Sequence, residues 1–367
     1  MKCTYAADIL QQAAEWLDQG RPVELATIVH INGSSSRPLG ARMLCTDREE
    51  FSGTVSGGCV ETDVCRVAAL VREDRTARLI HYGPVGDTIL ETGLNCEGEI
   101  EVLVEPVDRE WLARAREPFV GVVTVQCRVL SEGDARSGSV VTADVKRTWY
   151  PREMPYGGGL VRDAWDTGES RSTATASGIL LAEPVLPAPT LVIFGAGPLA
   201  DDLARIGKIL GFTTVIGDPR ETRFPPGRSP ADRTIVGWPD ETLDAVLNEE
   251  IPPVPARIYI VSLEHEPRFE DALWEALLER MDRDVLPARP AYIGAIGKAQ
   301  RAIERDERAR EARRDLSPLT PIRTPIGLDI GGKSTGEIAL SIAAQIVATL
   351  HNRGGGHHGT PRPSDRF

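Results

Sequence analysis

The sequence predicts an α/β protein: an N-terminal α/β domain on a mixed sheet, residues 1–186, then a doubly wound domain, residues 190–352, and a disordered tail, residues 353–367. Three observations carry this. Residues 191–220 read as strand, glycine turn, helix and second strand, and the chain beyond keeps alternating apolar runs with helical patterns. Before them, Pro184-Val185-Leu186-Pro187-Ala188-Pro189 makes a stiff linker that closes a strand-rich first half. A length of 367 residues suits two domains, each with its own core. Hydrophobic content of 41% and charged content of 26% are those of a soluble protein. A net charge of −12 argues against nucleic acid as a partner. No apolar run is long enough for a membrane span, and the N-terminus lacks the basic and apolar segments of a signal peptide. The cysteines Cys3, Cys45, Cys59, Cys65, Cys96 and Cys127 form no CxxC pair and no dense framework, which places them as thiols in a reducing cytoplasm.

Taken in order, residues 6–20 set Ile9, Leu10, Ala13, Ala14 and Leu17 at helical spacing and stop at Gly20. Residues 23–31 follow as a buried strand. Gly33-Ser34-Ser35-Ser36-Arg37-Pro38-Leu39-Gly40-Ala41-Arg42 is rich in donors suited to an oxyanion. Its amides can form a nest, Ser34 and Ser35 can donate, and Arg37 or Arg42 can pair with phosphate or carboxylate. The alternative is a connection whose serines satisfy their own backbone. Met43-Leu44-Cys45 continues as strand, 47–50 turn and 51–55 return. Ser56-Gly57-Gly58-Cys59-Val60-Glu61 then opens a helix carrying Val60, Val64, Val67, Ala68 and Val71. Gly57 and Gly58 leave its first amides open, and Cys59 stands at the positive end, where the dipole favours thiolate. An inert packed cysteine is the alternative there, and Cys65, on another face, is assigned to packing. Cys96 falls on a turn before the strand 100–104. Strands are expected at 120–130, 139–143 and 177–184, with loop or hairpin over 147–177.

Gly195-Ala196-Gly197-Pro198-Leu199-Ala200 gives the Gly-x-Gly-x-x-Ala turn of a Rossmann-like βαβ unit. Gly195 permits the turn, Gly197 lets backbone approach a phosphate, and Ala200 lets the helix lie close on the strand. The helix N-terminus suits an anion. Asp218, ending the second strand, is placed to accept from a ribose, with Arg220 near an added phosphate, unless the turn binds nothing. His265 lies just past the strand 257–262, where ligands of open α/β sheets sit, although a solvated loop histidine is the alternative. Residues 271–281 are helical, and 291–297 form a strand entering another glycine turn. Residues 298–314 make a charged helix with Glu304–Arg308 and Asp306–Arg310 pairs, read as a solvated face. An apolar helix covers 335–350. The tail carries His357 and His358, able to catch metal incidentally.

Gly33-Ser34-Ser35 with Arg37, Gly40-Ala41-Arg42-Met43 and Ser56-Gly57-Gly58-Cys59-Val60-Glu61 resemble the N-terminal motifs of the XdhC/CoxI proteins. Phe194-Gly195-Ala196-Gly197, Glu264-His265-Glu266-Pro267, Tyr292-Ile293-Gly294-Ala295-Ile296-Gly297 and Pro325-Ile326-Gly327-Leu328-Asp329-Ile330-Gly331 resemble their C-terminal domain. The resemblance covers most of residues 8–350. It implies a cytoplasmic maturation factor, non-catalytic, that binds molybdenum cofactor in its molybdopterin or dinucleotide form and protects it during sulfuration. Delivery to a xanthine-dehydrogenase-type or carbon-monoxide-dehydrogenase-type hydroxylase would follow. The implied partners are that apoenzyme, a cysteine-desulfurase-type sulfurase and a second copy in a homodimer. The chain departs from the pattern at Ser36, where proline is common, and at Pro198, where histidine is usual. Asn95 and Glu97 flank Cys96 in place of glycines, and Lys298-Ala299-Gln300 replaces Ser-Arg-Arg.

Under the resemblance, Ser34, Ser35, Arg37, Arg42, Gly57, Gly58, Cys59 and Glu61 in the first domain and Gly195, Gly197, Asp218 and His265 in the second contact the cofactor. Cys59 is the candidate molybdenum or sulfur ligand and Cys96 the weaker one, because a pterin with a dithiolene, a phosphate and a metal-oxo group asks for anion donors and a soft donor. Two other readings remain open. One is an NAD(P)-dependent oxidoreductase using the glycine turn and Asp218, with His265 as its acid–base group. The other is a regulatory or assembly partner with a vestigial turn.

Overall fold

The structure, a computed structural model, describes residues 5–48, 50–83, 98–107, 109–114, 119–127, 138–150, 159–175, 178–186, 188–224, 227, 229–248, 257–286, 289–351 and 353–355. Cys96 with Asn95 and Glu97, and His357 and His358 of the expected tail, lie outside these residues. The chain gathers into two compact units that change over after Leu186.

The first unit contains α1 (Tyr5–Asp18), β1 (Val23–Asn32), β2 (Arg42–Thr46), β3 (Phe51–Gly53), α2 (Glu61–Asp74), β4 (Arg78–Tyr82), β5 (Glu99–Pro106) and α3 (Arg109–Arg114). It continues with β6 (Phe119–Cys127), β7 (Ser139–Tyr150), α4 (Gly159–Thr167), β8 (Arg171–Thr175) and β9 (Gly178–Val185). Its strands form one sheet in the order β3-β2-β1-β5-β4-β7-β6-β9-β8. The class is α/β as the sequence indicates, but the described pairings of this sheet are antiparallel, in place of the expected mixed sheet. Sequential strands lie side by side at β2/β3, β4/β5, β6/β7 and β8/β9, and a short return can only be antiparallel. The loop expected over 147–177 instead holds the end of β7, then α4 and β8. Its residues alternate weakly, and β7 owes its extended form to β4 and β6 on either side.

The two faces of the sheet follow the period of two. Ala26, Ile28, Met43, Cys45, Ile80, Tyr82, Val102 and Val104 pack against Val64, Val67, Ala68 and Val71 of α2. On the other face Val29, Leu79 and Leu103 meet Val123, Val125, Ile179 and Leu181, while Leu25 and Leu44 meet Ile9, Ala13 and Trp16 of α1. The sheet curls until β1 lies against β8 and β9, with His30 Nδ1 3.1 Å from Ser172 Oγ. Inside the curl, Arg42 and Glu183 pair at 2.7 Å with side chains 3% and 4% exposed. Arg147 makes a two-pronged pair with Glu105, and buried Glu24 holds Arg72 of α2.

The second unit contains β10 (Thr190–Phe194), α5 (Pro198–Ile209), β11 (Thr213–Asp218), β12 (Arg233–Val236), α6 (Pro239–Leu247), β13 (Ile258–Ser262), α7 (Pro267–Asp282), β14 (Tyr292–Ala295), α8 (Ala299–Glu311) and α9 (Thr335–Leu350). The strands are parallel in the order β12-β11-β10-β13-β14. Leu191 and Ile193 point to α5 and α9, and Val192 and Phe194 to α6 and α7, so the domain is doubly wound as the sequence indicates. The order reverses between β10 and β13, the place where such sheets open a ligand crevice. The charged helix α8 is not simply a solvated face. Arg308 bonds Asp271 and Glu270 of α7 rather than Glu304, and Arg305 is buried over Trp274. Burial pushes the Glu270 carboxyl up despite the arginines Arg301, Arg305 and Arg308 that face it.

The Arg42–Glu183 pair yields a stability prediction. Glu183→Ala leaves a buried guanidinium without its carboxylate, and urea unfolding should show the first unit weakened by about 3–5 kcal/mol. The double variant Arg42→Met with Glu183→Leu should recover most of that loss.

Candidate functional site

The first site is built around one carboxylate. Glu61, the first residue of α2, folds back and accepts from seven donors. Oε1 takes the Thr54 hydroxyl and the amides of Val55 at 3.1 Å, Ser56 at 2.9 Å and Gly57 at 3.2 Å. Oε2 takes the Ser56 hydroxyl at 2.5 Å and the amides of Gly58 at 2.9 Å and Val60 at 3.2 Å. The Cys59 amide donates to Ser56 Oγ at 2.8 Å. Every amide from Val55 to Val60 is therefore satisfied within the turn. Gly57 at φ 83° and Gly58 at φ 120° are what allow a chain to wrap a carboxylate so closely.

This arrangement corrects three expectations. Gly57 and Gly58 do not hold open amides toward an anion, because the chain's own carboxylate fills the nest. Glu61 is the organiser of that turn rather than a ligand for cargo. Arg42 does not join the loop surface, because its guanidinium is inside the sheet with Glu183. What the turn presents outward is Cys59, exposed and just ahead of the first residue of α2.

The two loops do meet. Ser36 Oγ donates to the Ser56 carbonyl at 2.6 Å, a bond that proline at this position could not make. The loop 33–42 thus lies beside the Cys59 turn, with Ser34 exposed and Ser35 and Arg37 half-buried. Gly98 backs it: a Cβ there would fall 1.9 Å from the Ser34 carbonyl oxygen, so β5 enters against that backbone. The loop is partly tied to itself, the Arg37 amide donating to Ser35 Oγ at 3.3 Å, and it lies in the same unit as the Cys59 turn.

The second site is the crevice at the sheet reversal. Gly195, at φ 101°, makes the turn, and the Ala196 amide donates to Asp218 at 2.9 Å. Asp218 is 1% exposed and also takes the Arg220 guanidinium at 2.8 Å. Burial alone would raise its carboxyl; the Arg220 and Ala196 bonds outweigh that and hold it below the usual range. Arg220 goes on to Glu264 at 2.5 Å and Glu266 at 3.0 Å and lies over Phe269. Asp218 is thus occupied by its own neighbours and does not stand free for a ribose. At the turn, Pro198 removes an amide from the start of α5, and Asp201 in its first turn sets a carboxylate beside the gap. The gap is lined by Ala196, Gly197, Asp201, Arg223, Phe224 and Ser229 among others. His265 is exposed, with Nδ1 3.4 Å from Arg301.

Two family models match the chain: the XdhC and CoxI family over residues 16–83 and the XdhC Rossmann domain over residues 191–346. The chain belongs to the XdhC/CoxI family. A relative in Bacillus subtilis, described as a probable subunit of xanthine dehydrogenase, is 26% identical, covering 91% of this chain and 94% of the relative. The molybdenum cofactor insertion chaperone PaoD of Escherichia coli is 24% identical, covering 94% of this chain and 88% of its own. A crystal structure described as a xanthine dehydrogenase from Bacillus halodurans superposes with a TM-score of 0.65 at 25% identity, covering 96% and 98% of the two chains.

In this XdhC/CoxI chain the residues that sequence reasoning misses are those that hold the others: Thr54 and Ser56 around Glu61, and Glu264 and Glu266 around Arg220. Ser-x-x-x-x-Glu leading into a helix is the available signal for the first. Nothing local signals the second, since its partners lie over 40 residues apart.

The Glu61 turn should titrate. Burial would raise the carboxyl, but the Ser56 and Thr54 bonds outweigh it and bring it from its ordinary 4.5 to about 2. A depressed folded value stabilises above the unfolded one. With solvent on the outer side of the turn screening part of the effect, about 2 kcal/mol should be present above pH 4.5 and lost as pH falls toward 2. Denaturation of Glu61→Gln across that window should lack this slope.

Proposed function

We propose that this chain is a chaperone that carries molybdenum cofactor and inserts it into a xanthine-dehydrogenase-type hydroxylase. The observation that carries the reading is Cys59, an exposed sulfur on a turn immobilised by Glu61, next to a loop that bears anion donors. Family membership and the likeness to PaoD support it. The cofactor is cargo here. Cys59 offers the soft donor for molybdenum or its sulfur ligand, and Ser34, Ser35 and Arg37 offer contacts to the phosphate or pterin edge. Backbone amides at Gly57 and Gly58 have no part in it. The molybdopterin form suits this surface, and the same site would serve a dinucleotide form whose nucleotide extends outward.

Further parts of the reading follow the family resemblance: protection of the cargo during sulfuration with a cysteine-desulfurase-type partner, action in the cytoplasm, and a homodimer. A carbon-monoxide-dehydrogenase-type client is the other hydroxylase to test. We read the two compact units as the two domains, 1–186 and 190–352, and place cargo contact in the first. The NAD(P)-dependent alternative finds little support in the crevice, where Asp218 is taken by Arg220 and the Ala196 amide and Asp201 sets a carboxylate at the start of α5. A permanent subunit, the role named for the Bacillus subtilis relative, differs from a chaperone in stoichiometry: the former stays with the mature enzyme, whereas the latter leaves it.

The test uses the purified full chain reconstituted with molybdenum cofactor, passed through gel filtration, and assayed for molybdenum and pterin fluorescence. Wild type should retain both, and Cys59→Ser, folded by circular dichroism, should retain at least tenfold less. Equal retention by the two proteins rejects the sulfur contact. No retention by folded wild type rejects the function, and co-elution with the active hydroxylase in fixed ratio favours the permanent-subunit role.

A further inference from the structure

Cys59 is not the only thiol with chemistry around it. Cys45 on β2 faces α2, and its sulfur lies 3.5 Å from that of Cys65 in the second turn of that helix. Cys45 is 1% exposed, packed in the core among residues of β1, β2 and α2, while Cys65 is half-buried at the edge of the same cluster. Two thiols in contact, one sealed and one reachable, differ from a lone cysteine because oxidation of the outer sulfur has a partner already in place. From this geometry we infer that Cys45 and Cys65 are an oxidisable dithiol that closes to a disulfide when the protein meets a hydroperoxide.

The chemistry balances in two steps. The Cys65 sulfur attacks one peroxide oxygen, the O–O bond breaks, and the departing hydroxide takes a proton, giving Cys65 sulfenic acid and water. The Cys45 sulfur then attacks the Cys65 sulfur, the S–O bond breaks, and the leaving hydroxide takes the Cys45 proton as a second water. Each thiol sulfur loses one electron overall and the peroxide gains two. Order of attack follows access. The Cys65 thiol against it and burial both push Cys45 above the usual thiol range, so the outer sulfur meets the oxidant and the inner one resolves it.

The position gives the bridge a consequence. It ties β2 to α2 across a separation of 20 residues, and the enclosed segment contains β3 and the whole turn from Thr54 to Glu61 that presents Cys59. A bond there limits how far α2 can part from the sheet, and so how far the Cys59 turn can open. This dithiol chemistry does not depend on what Cys59 binds.

The test is peroxide treatment of the full chain in the Cys59→Ser background, alkylation of remaining thiols, trypsin digestion and tandem mass spectrometry. That background matters because no trypsin site separates Cys59 from Cys65. A cross-linked pair of peptides lighter by two hydrogens, bridging Cys45 to Cys65 and released by dithiothreitol, is the expected result. Its formation should raise the melting temperature by roughly 5 °C. Cys65→Ser, which changes a half-exposed position and should fold, must abolish both bridge and shift. Alkylation of Cys45 and Cys65 in treated protein, accumulation of Cys65 sulfinic acid without a bridge, or a bridge from either sulfur to another cysteine would each overturn the proposal.

Discussion

The Glu61 carboxylate is the constraint on which the N-terminal site depends. A turn of six residues ahead of a helix carries a row of amides that have no partner in the helix itself. Left to water, they would let the turn take many shapes. Bound to one buried carboxylate, they take one, and Cys59 is the residue whose side chain that shape turns outward. The same bonds keep the carboxyl ionised in a buried place, because seven donors offset its desolvation. Removing the carboxylate thus removes both the charge balance and the geometry.

The second unit solves a related problem in the same manner. The Ala196 amide at the glycine turn is taken by Asp218, which is held in turn by Arg220 and through it by Glu264 and Glu266. Positions that serve a nucleotide in other doubly wound sheets serve internal ion pairing here. Burial lifts Glu264 even with Arg220 beside it, while the same guanidinium helps hold Asp218 below the usual range, so Arg220 links acids that burial treats unequally. The glycine turn is present while Asp218 bonds its own neighbours Ala196 and Arg220, which is why a fold cannot by itself assign a ligand.

How much is legible in the sequence follows from the range of each interaction. The unit at β10, α5 and β11 is readable because strand, glycine turn, helix and acid lie within 30 residues and their periods are strong. That the two N-terminal loops meet is not legible, because the Ser36–Ser56 bond that joins them is long-range. Arg42 reads as a surface ligand because an arginine beside a serine loop looks exposed; only the curl of the sheet, which brings β9 over β2, buries it with Glu183. Gly57 and Gly58 are legible as turn formers, yet their amides look open because glycines ahead of a helix do not by themselves show Glu61 folding back, for which Ser-x-x-x-x-Glu is the signal. The strand β7 runs longer than its pattern indicates, since its residues are half-exposed and gain their extended form from neighbours rather than from their own alternation.

The exposure of Cys59 on its turn is consistent with the carrier role proposed above. Pockets that keep a ligand bury most of its surface, and slow release follows from the contacts that must break together. A chaperone has to hold its cargo firmly enough to exclude water and oxidants and still surrender it to a client. In the proposed role, one soft donor on a turn fixed by Glu61 would give a contact able to break separately from those of the neighbouring loop. Rigidity matters as much as the donor, because ordering a loose turn on binding would subtract from an already small set of contacts. In that role Glu61 would remove the cost before cargo arrived, because it fixes the turn on which Cys59 is exposed.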